Sequence, residues 1–189
     1  IYIVISAPDF DANNLYTKEA SIVYDSENNE IARLGTENRQ RVTYDDLPEV
    51  FVDALVATED SRFFQHNGFD APRFLKASLG QAVGHSDAGG ASTLTMQTVK
   101  NNLTKKDSKE NNKIKKIIRK FQDVYLSVFF MEKKYSKNEI LEMYVNDSCL
   151  GGTVYGVEEA SKYYFGKNVS ELSLPEAALL AGMYQAPNR

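Results

Sequence analysis

The chain has one cysteine, two histidines and no tryptophan in 189 residues. The lone Cys149 cannot close an intramolecular disulfide, and no cysteine spacing suits zinc. His66 and His85, without a carboxylate cluster, make a weak metal set, and neither has a nearby serine or cysteine in a nucleophile setting. No apolar run reaches the roughly 20 residues that cross a bilayer. The opening IYIVIS reads either as a plain strand or as the outer end of an anchor helix. Internal repeats, low-complexity tracts, a P-loop and a dinucleotide fingerprint are all missing. What is present is 42% hydrophobic, enough to bury one core.

Net charge is −4, but it is unevenly spread. Residues 100–120 hold nine basic side chains (Lys100, Lys105, Lys106, Lys109, Lys113, Lys115, Lys116, Arg119, Lys120) against Asp107 and Glu110. Such a block attracts phosphates or acidic lipid head groups, or it is simply a solvated face. With no aromatic residues interleaved, it does not read as a nucleic-acid surface. ASIVYDSENNEIARL predicts a small β-hairpin within residues 1–45, a stretch set apart from the helical remainder. Residues 46–189 turn helical, with helices expected in DLPEVFVDALVATED and over 71–84, 93–102, 113–132, 136–146, 153–165 and 173–184. Asp46 is the expected cap of the first, with Pro48 in its first turn. Ser136 with Glu139, and Ser173 with Glu176, have the spacing of capping boxes. The glycine-rich GHSDAGGAST between two helices is expected to be a mobile loop. The fold class is mainly α, and the closing YQAPNR reads as the exit of a helix in a fragment of something longer.

The stretch VATEDSRFFQHNGFD, residues 56–70, puts Glu59 and Asp60 at the end of an expected helix. The helix dipole disfavours carboxylates there, so two adjacent acids hint at a purpose. If Phe63 and Phe64 partly desolvate Glu59, its carboxylate becomes a better proton acceptor, as a general base requires. The plainer alternative is an exposed acid capping local amides. His66 reads best as holding the turn before Gly68. GGASTLTMQTVKN gathers Ser92, Thr93, Thr95, Gln97 and Lys100 at a helix start, which suits an anionic or sugar ligand. Equally, Ser92 or Thr93 is an ordinary cap. Arg119 and Asp123 share a helix face, with Lys120 beside them. They form either a surface ion pair worth under about 1 kcal/mol or a phosphate clamp. In the clamp Arg119 forks onto oxygens, Lys120 adds charge, and Asp123 orients Arg119 or holds a divalent cation. A base set apart from a cationic cluster is what displacing a sugar from a diphosphate carrier requires: an activated hydroxyl and a stabilised leaving group.

These motifs resemble those of the peptidoglycan glycosyltransferases, glycosyltransferase family 51, found in class A penicillin-binding proteins and monofunctional transglycosylases. EDSRFFQHNG (59–68) is similar to the family's E-D-x-x-F-x-x-H-x-G, GASTLTMQ (90–97) to G-x-S-T-x-T-Q-Q, and RKFQD (119–123) to R-K-x-x-E. KNEILEMYVN (137–146) is similar to its fourth motif, and GVEEASKYYFGK and LSLPEAALLAGMYQAPN continue the pattern. The resemblance implies a lysozyme-like fold on the outer face of the bacterial cytoplasmic membrane, held by an N-terminal anchor. It implies polymerisation of lipid II into β-1,4-linked glycan strands, with inversion and release of undecaprenyl diphosphate. Glu59 matches the catalytic base, and Asp60, Phe63, His66 and Gly68 its supporting positions. Gly90, Ser92, Thr93, Thr95, Gln97 and Lys100 match the second motif near the donor. Arg119 and Lys120 match the phosphate-binding pair, with Asp123 the acid of that motif, and Lys137, Tyr144 and Asn146 match the fourth. Implied partners are lipid II, the growing glycan, the membrane and a transpeptidase domain beyond residue 189. No cofactor is obligatory, although a divalent cation, Mg or Mn, is a candidate helper.

Three departures stand out. Asp123 replaces the family's Glu, Met96 replaces the first Gln of its pair, and the fifth, Arg-rich motif would lie beyond Arg189. They leave a degenerate lipid II-binding scaffold as one rival reading. A lysozyme-like hydrolase is the other, although it has no use for a diphosphate clamp.

Overall fold

The computed structural model describes residues 2–15, 21–27, 30–34, 40–82, 90–104 and 112–185. His85 and the loop around it, and Lys105, Lys106, Asp107, Lys109 and Glu110 of the basic segment, lie outside them. The described chain is mainly helical. It begins with a single turn, α1 (Tyr2–Ile5), and two short antiparallel strands, β1 (Ser21–Tyr24) and β2 (Glu30–Leu34), with Ser21 opposite Leu34 and an irregularity at Val23/Tyr24. The helices follow: α2 (Glu49–Glu59), α3 (Ala71–Ala82), α4 (Leu94–Val99), α5 (Lys113–Leu126), α6 (Glu132–Lys134), α7 (Lys137–Asp147), α8 (Val157–Phe165) and α9 (Leu174–Gln185).

Two compact units divide the chain: Ile1–Leu15 with Glu59–Tyr144, and Tyr16–Thr58 with Val145–Arg189. In the first, Phe63, Leu94, Met96, Val99, Leu126, Met131, Ile140 and Leu141 form a fully buried core. The N-terminal segment is tied in where Gln122 Nε2 donates to Ser6 O at 2.9 Å. In the second unit, Phe51 and Leu55 of α2 are buried with Val157, Ala160, Leu180 and Ala181, and the Phe51 and Tyr184 rings meet at 6.2 Å.

Local chemistry explains the starts of α7 and α9. Ser136 N donates to Glu139 Oε2 at 2.7 Å while Glu139 N donates back to Ser136 Oγ at 3.3 Å, a reciprocal box that starts α7. Ser173 N donates to Glu176 Oε2 at 2.8 Å at the start of α9. Lys167 also pairs with Glu176, and these bonds hold its carboxyl down at about 2. Asp46 departs from expectation. It accepts from Thr43 N at 2.8 Å and so closes the short 3-10 turn Tyr44–Asp46, while α2 begins beyond Pro48. The expected helix over 113–132 is also interrupted, by a π-helical turn at Ser127–Met131.

The expected helix over 153–165 starts late, at Val157, because Gly156 stands at φ +82. Its N–H donates to Ser148 O at 2.9 Å, and a Cβ there would fall 2.9 Å from the Asn146 carbonyl oxygen. A side chain would meet both a left-handed backbone and a backbone clash. Gly156→Ala should therefore lower stability by about 1–3 kcal/mol, measured as a lower denaturation midpoint. An unchanged midpoint would show that the turn can relax.

Candidate active site

Asp60 follows directly on α2, and its side chain is fully buried in the first unit. Oδ2 accepts from Leu94 N at 3.0 Å and lies 3.0 Å from His66 Nε2, while Arg73 Nη1 donates to Oδ1 at 3.4 Å. Gly68 N donates to His66 Nδ1 at 3.1 Å. With Nδ1 accepting, the ring proton sits on Nε2 and points at Asp60. His66 thus bridges a buried carboxylate and the backbone of a glycine held at φ +79, where a Cβ would come within 3.0 Å of Glu132 Cγ and of the Ser127 backbone. The spacing D-x-x-x-x-x-H-x-G is a structural clamp.

That clamp secures the start of α4. Thr93 Oγ1 accepts from Met96 N at 3.1 Å and donates to Gly68 O at 2.7 Å. The ordinary-cap reading of Thr93 therefore holds, and the Leu94 and Met96 amides are occupied by protein groups. Ser92 is half-buried beside it. One turn on, Gln97 Nε2 donates to Glu59 Oε2 at 2.9 Å, and Tyr144 OH lies 3.4 Å from Gln97 Oε1. Glu59 is 8% exposed, and no donor among the described residues reaches its Oε1. One oxygen is oriented and the other is left as a bare acceptor, in a position where an unmade bond costs about 1–3 kcal/mol.

A third cluster centres on Glu132, which sequence reasoning missed. Its Oε1 accepts from Thr95 Oγ1 at 2.6 Å and from Lys137 Nζ at 2.7 Å. The Lys137 ammonium also lies 4.5 Å from the centre of the buried Phe63 ring. Residues of the first, second and fourth motifs so meet through one side chain, and nothing in its local sequence distinguishes Glu132 from an ordinary surface acid.

Asp123 behaves differently from the helix-face ion pair considered above. It is 6% exposed and accepts from Thr104 Oγ1 at 2.6 Å, with Arg119 acting on it only through space. Burial pushes its carboxyl up to about 6, against the opposing pull of the Thr104 bond and of the Arg119, Lys100 and Lys120 charges. Lys100 is exposed, and Arg119 and Lys120 are half-buried. Among the described residues no three metal-ligating side chains converge, and the charged groups that act on Asp123 are cations. That donor set does not fit a metal held by protein ligands alone.

Asn146 belongs to the second unit, where its side chain works as a backbone mimic: Oδ1 accepts from Val42 N at 3.0 Å and Nδ2 donates to Val42 O at 2.8 Å.

Residues 27–189 match the family model described as transglycosylase. Over 97% of its length the chain is 40% identical to penicillin-binding protein 1A/1B of Bacillus subtilis, and over its whole length 40% identical to penicillin-binding protein 1A of Streptococcus pneumoniae. Penicillin-binding protein 1A of Clostridium tetani is also 40% identical, over 97% of the chain. The aligned part is 19%, 25% and 23% of those relatives' own lengths, so the chain spans a quarter or less of each. The match runs through the Glu59, Gln97 and Asp123 positions just described, and the chain belongs to the transglycosylase family of enzymes.

Proposed function

We propose that this chain is the peptidoglycan glycosyltransferase part of a longer protein, and that it extends glycan strands from lipid II by a single inverting displacement. The observation that carries this reading is the divided carboxylate of Glu59, with Oε2 held by Gln97 and Oε1 buried without a donor. Oε1 takes the proton of the acceptor's 4-hydroxyl as that oxygen attacks the donor's anomeric carbon. The bond from that carbon to the diphosphate breaks, and the electron pair leaves with undecaprenyl diphosphate. Arg119, Lys120 and Lys100 offset the charge that develops there. Asp123 tempers the charge of those cations through space, and no step is assigned to a metal. The experiment is polymer formation from labelled lipid II in detergent by the full-length protein. Failure to form polymer, with lipid II still bound, would favour a scaffold.

Working on the outer face of the bacterial membrane, with a transpeptidase domain elsewhere in the full-length protein, belongs to the same proposal. No described helix is long and apolar enough to cross a membrane. Contact with the bilayer surface has separate support. In α5 the buried side carries Gln122 and Asp123, while Ile114, Ile117 and Phe121 are exposed, as are Leu75 and Leu79 of α3. An apolar face turned outward among lysines suits an anionic membrane interface. Phe69, Phe74, Ile117, Phe121 and Val124 line a cavity of about 270 Å³ there, with Lys120 at 5.9 Å from the Phe74 ring centre. Replacing both Ile117 and Phe121 by Asp should markedly reduce flotation with anionic liposomes at low salt. Undiminished flotation would show that this face does not touch lipid.

A further inference from the structure

We propose that Thr104 is a positioning residue for the leaving-group site, its hydroxyl holding the Asp123 carboxyl in register with Lys100, Arg119 and Lys120. The inference rests on the reading of those cations as the diphosphate holders. The Thr104 to Asp123 bond is 2.6 Å long, and both residues are buried, at 7% and 6% exposure. Thr104 ends the π-helical turn Lys100–Thr104 that follows α4, while Asp123 lies on α5 one turn beyond Arg119. One buried hydroxyl therefore ties the segment after the second motif to the third. An aspartate has only two side-chain torsions, so fixing one oxygen fixes the whole carboxyl.

The electrostatic consequence is specific. The charged groups acting on Asp123 are Lys100 from the π-helical turn and Arg119 and Lys120 from its own helix. The Thr104 bond favours the ionised carboxyl, so removing it lets Asp123 protonate at higher pH. A neutral Asp123 leaves the three cations less compensated, which strengthens anion binding. Thr104→Val, close in shape but lacking the hydroxyl, should hold a diphosphate more tightly near neutral pH and release it more slowly.

The test is binding of inorganic pyrophosphate to the full-length protein by calorimetry between pH 5 and pH 8, for the parent, T104V, T104S, D123N and the T104V/D123N pair. T104V is expected to shift the pH dependence of binding up by about one pH unit, giving roughly threefold tighter binding at pH 7. T104S should match the parent, and in the D123N background T104V should change nothing, the signature of a coupled pair. The acid limb of the polymerisation profile should move up with it. A T104V titration superimposable on the parent's would overturn the proposal, as would an effect that persists beside D123N. Pyrophosphate binding needs no turnover. Polymerisation lost throughout with this coupling intact would therefore sink the glycosyltransferase reading alone, and coupling absent with polymerisation intact would sink the role of Thr104 alone.

Discussion

Glu59→Gln is expected to lower glycan polymerisation by about a hundred- to ten-thousandfold while leaving lipid II binding close to that of the parent. The substitution keeps size and shape. The amide oxygen can still accept from Gln97, as Oε2 does at 2.9 Å. The change falls on the other atom: where Oε1 stands buried without a donor, an NH2 cannot take a proton. The loss should therefore appear in kcat rather than in KM, since the group acts on the proton in flight and not on ground-state binding. Stability should hold or rise slightly, because a buried acceptor without a partner is replaced by a neutral group. The comparison requires initial polymerisation rates and lipid II binding side by side. A variant polymerising within tenfold of the parent would remove Glu59 from the base role. A variant that had also lost lipid II binding would place Glu59 in substrate contact instead.

Asp60→Ala should be the most destabilising single change in the first unit, at about 3–5 kcal/mol. Its carboxylate is fully buried and serves three donors: Leu94 N, His66 Nε2 and Arg73 Nη1. Removing it leaves the amide and the histidine N–H facing no acceptor, and it strips a partner from the guanidinium. Asp60→Asn tests the same geometry more finely. An amide oxygen in the Oδ2 position can still serve both Leu94 N and His66 Nε2, but the NH2 in the Oδ1 position then opposes the Arg73 guanidinium and the charge that paired with it is gone. Asn should therefore recover only part of the loss. The effect also reaches function: Leu94 opens the helix that carries Gln97, so a displaced α4 start loosens the group that orients Glu59. Denaturant midpoints for the three proteins decide it. An alanine variant within about 1 kcal/mol of the parent would mean that water replaces the carboxylate and that the clamp is not the anchor of this region.

Much of this site was legible in the chain because its signals are local or positional. The Ser136/Glu139 and Ser173/Glu176 boxes are contacts between residues three apart, and backbone geometry brings such pairs together wherever a helix starts. The spacing of Asp60, His66 and Gly68 is short enough for one turn to join all three. The late start of α8 turns on something no window reveals, the distance from Gly156 to a carbonyl ten residues earlier. Asp46 had the right chemistry for a cap and served the wrong turn, since Thr43 lay equally within its reach.

By itself the sequence determined the helical class, most helix starts and the family, because residue type and near spacing carry those directly. Only the tertiary structure decided which atoms of those residues face one another. Gln97 reaches Glu59 across 38 positions, Thr104 reaches Asp123 across 19, and Glu132 joins Thr95 to Lys137 across 37 and 5. Such partners are chosen by how helices pack and by which polar groups burial leaves in need of one another, and neither is written in any short stretch of chain.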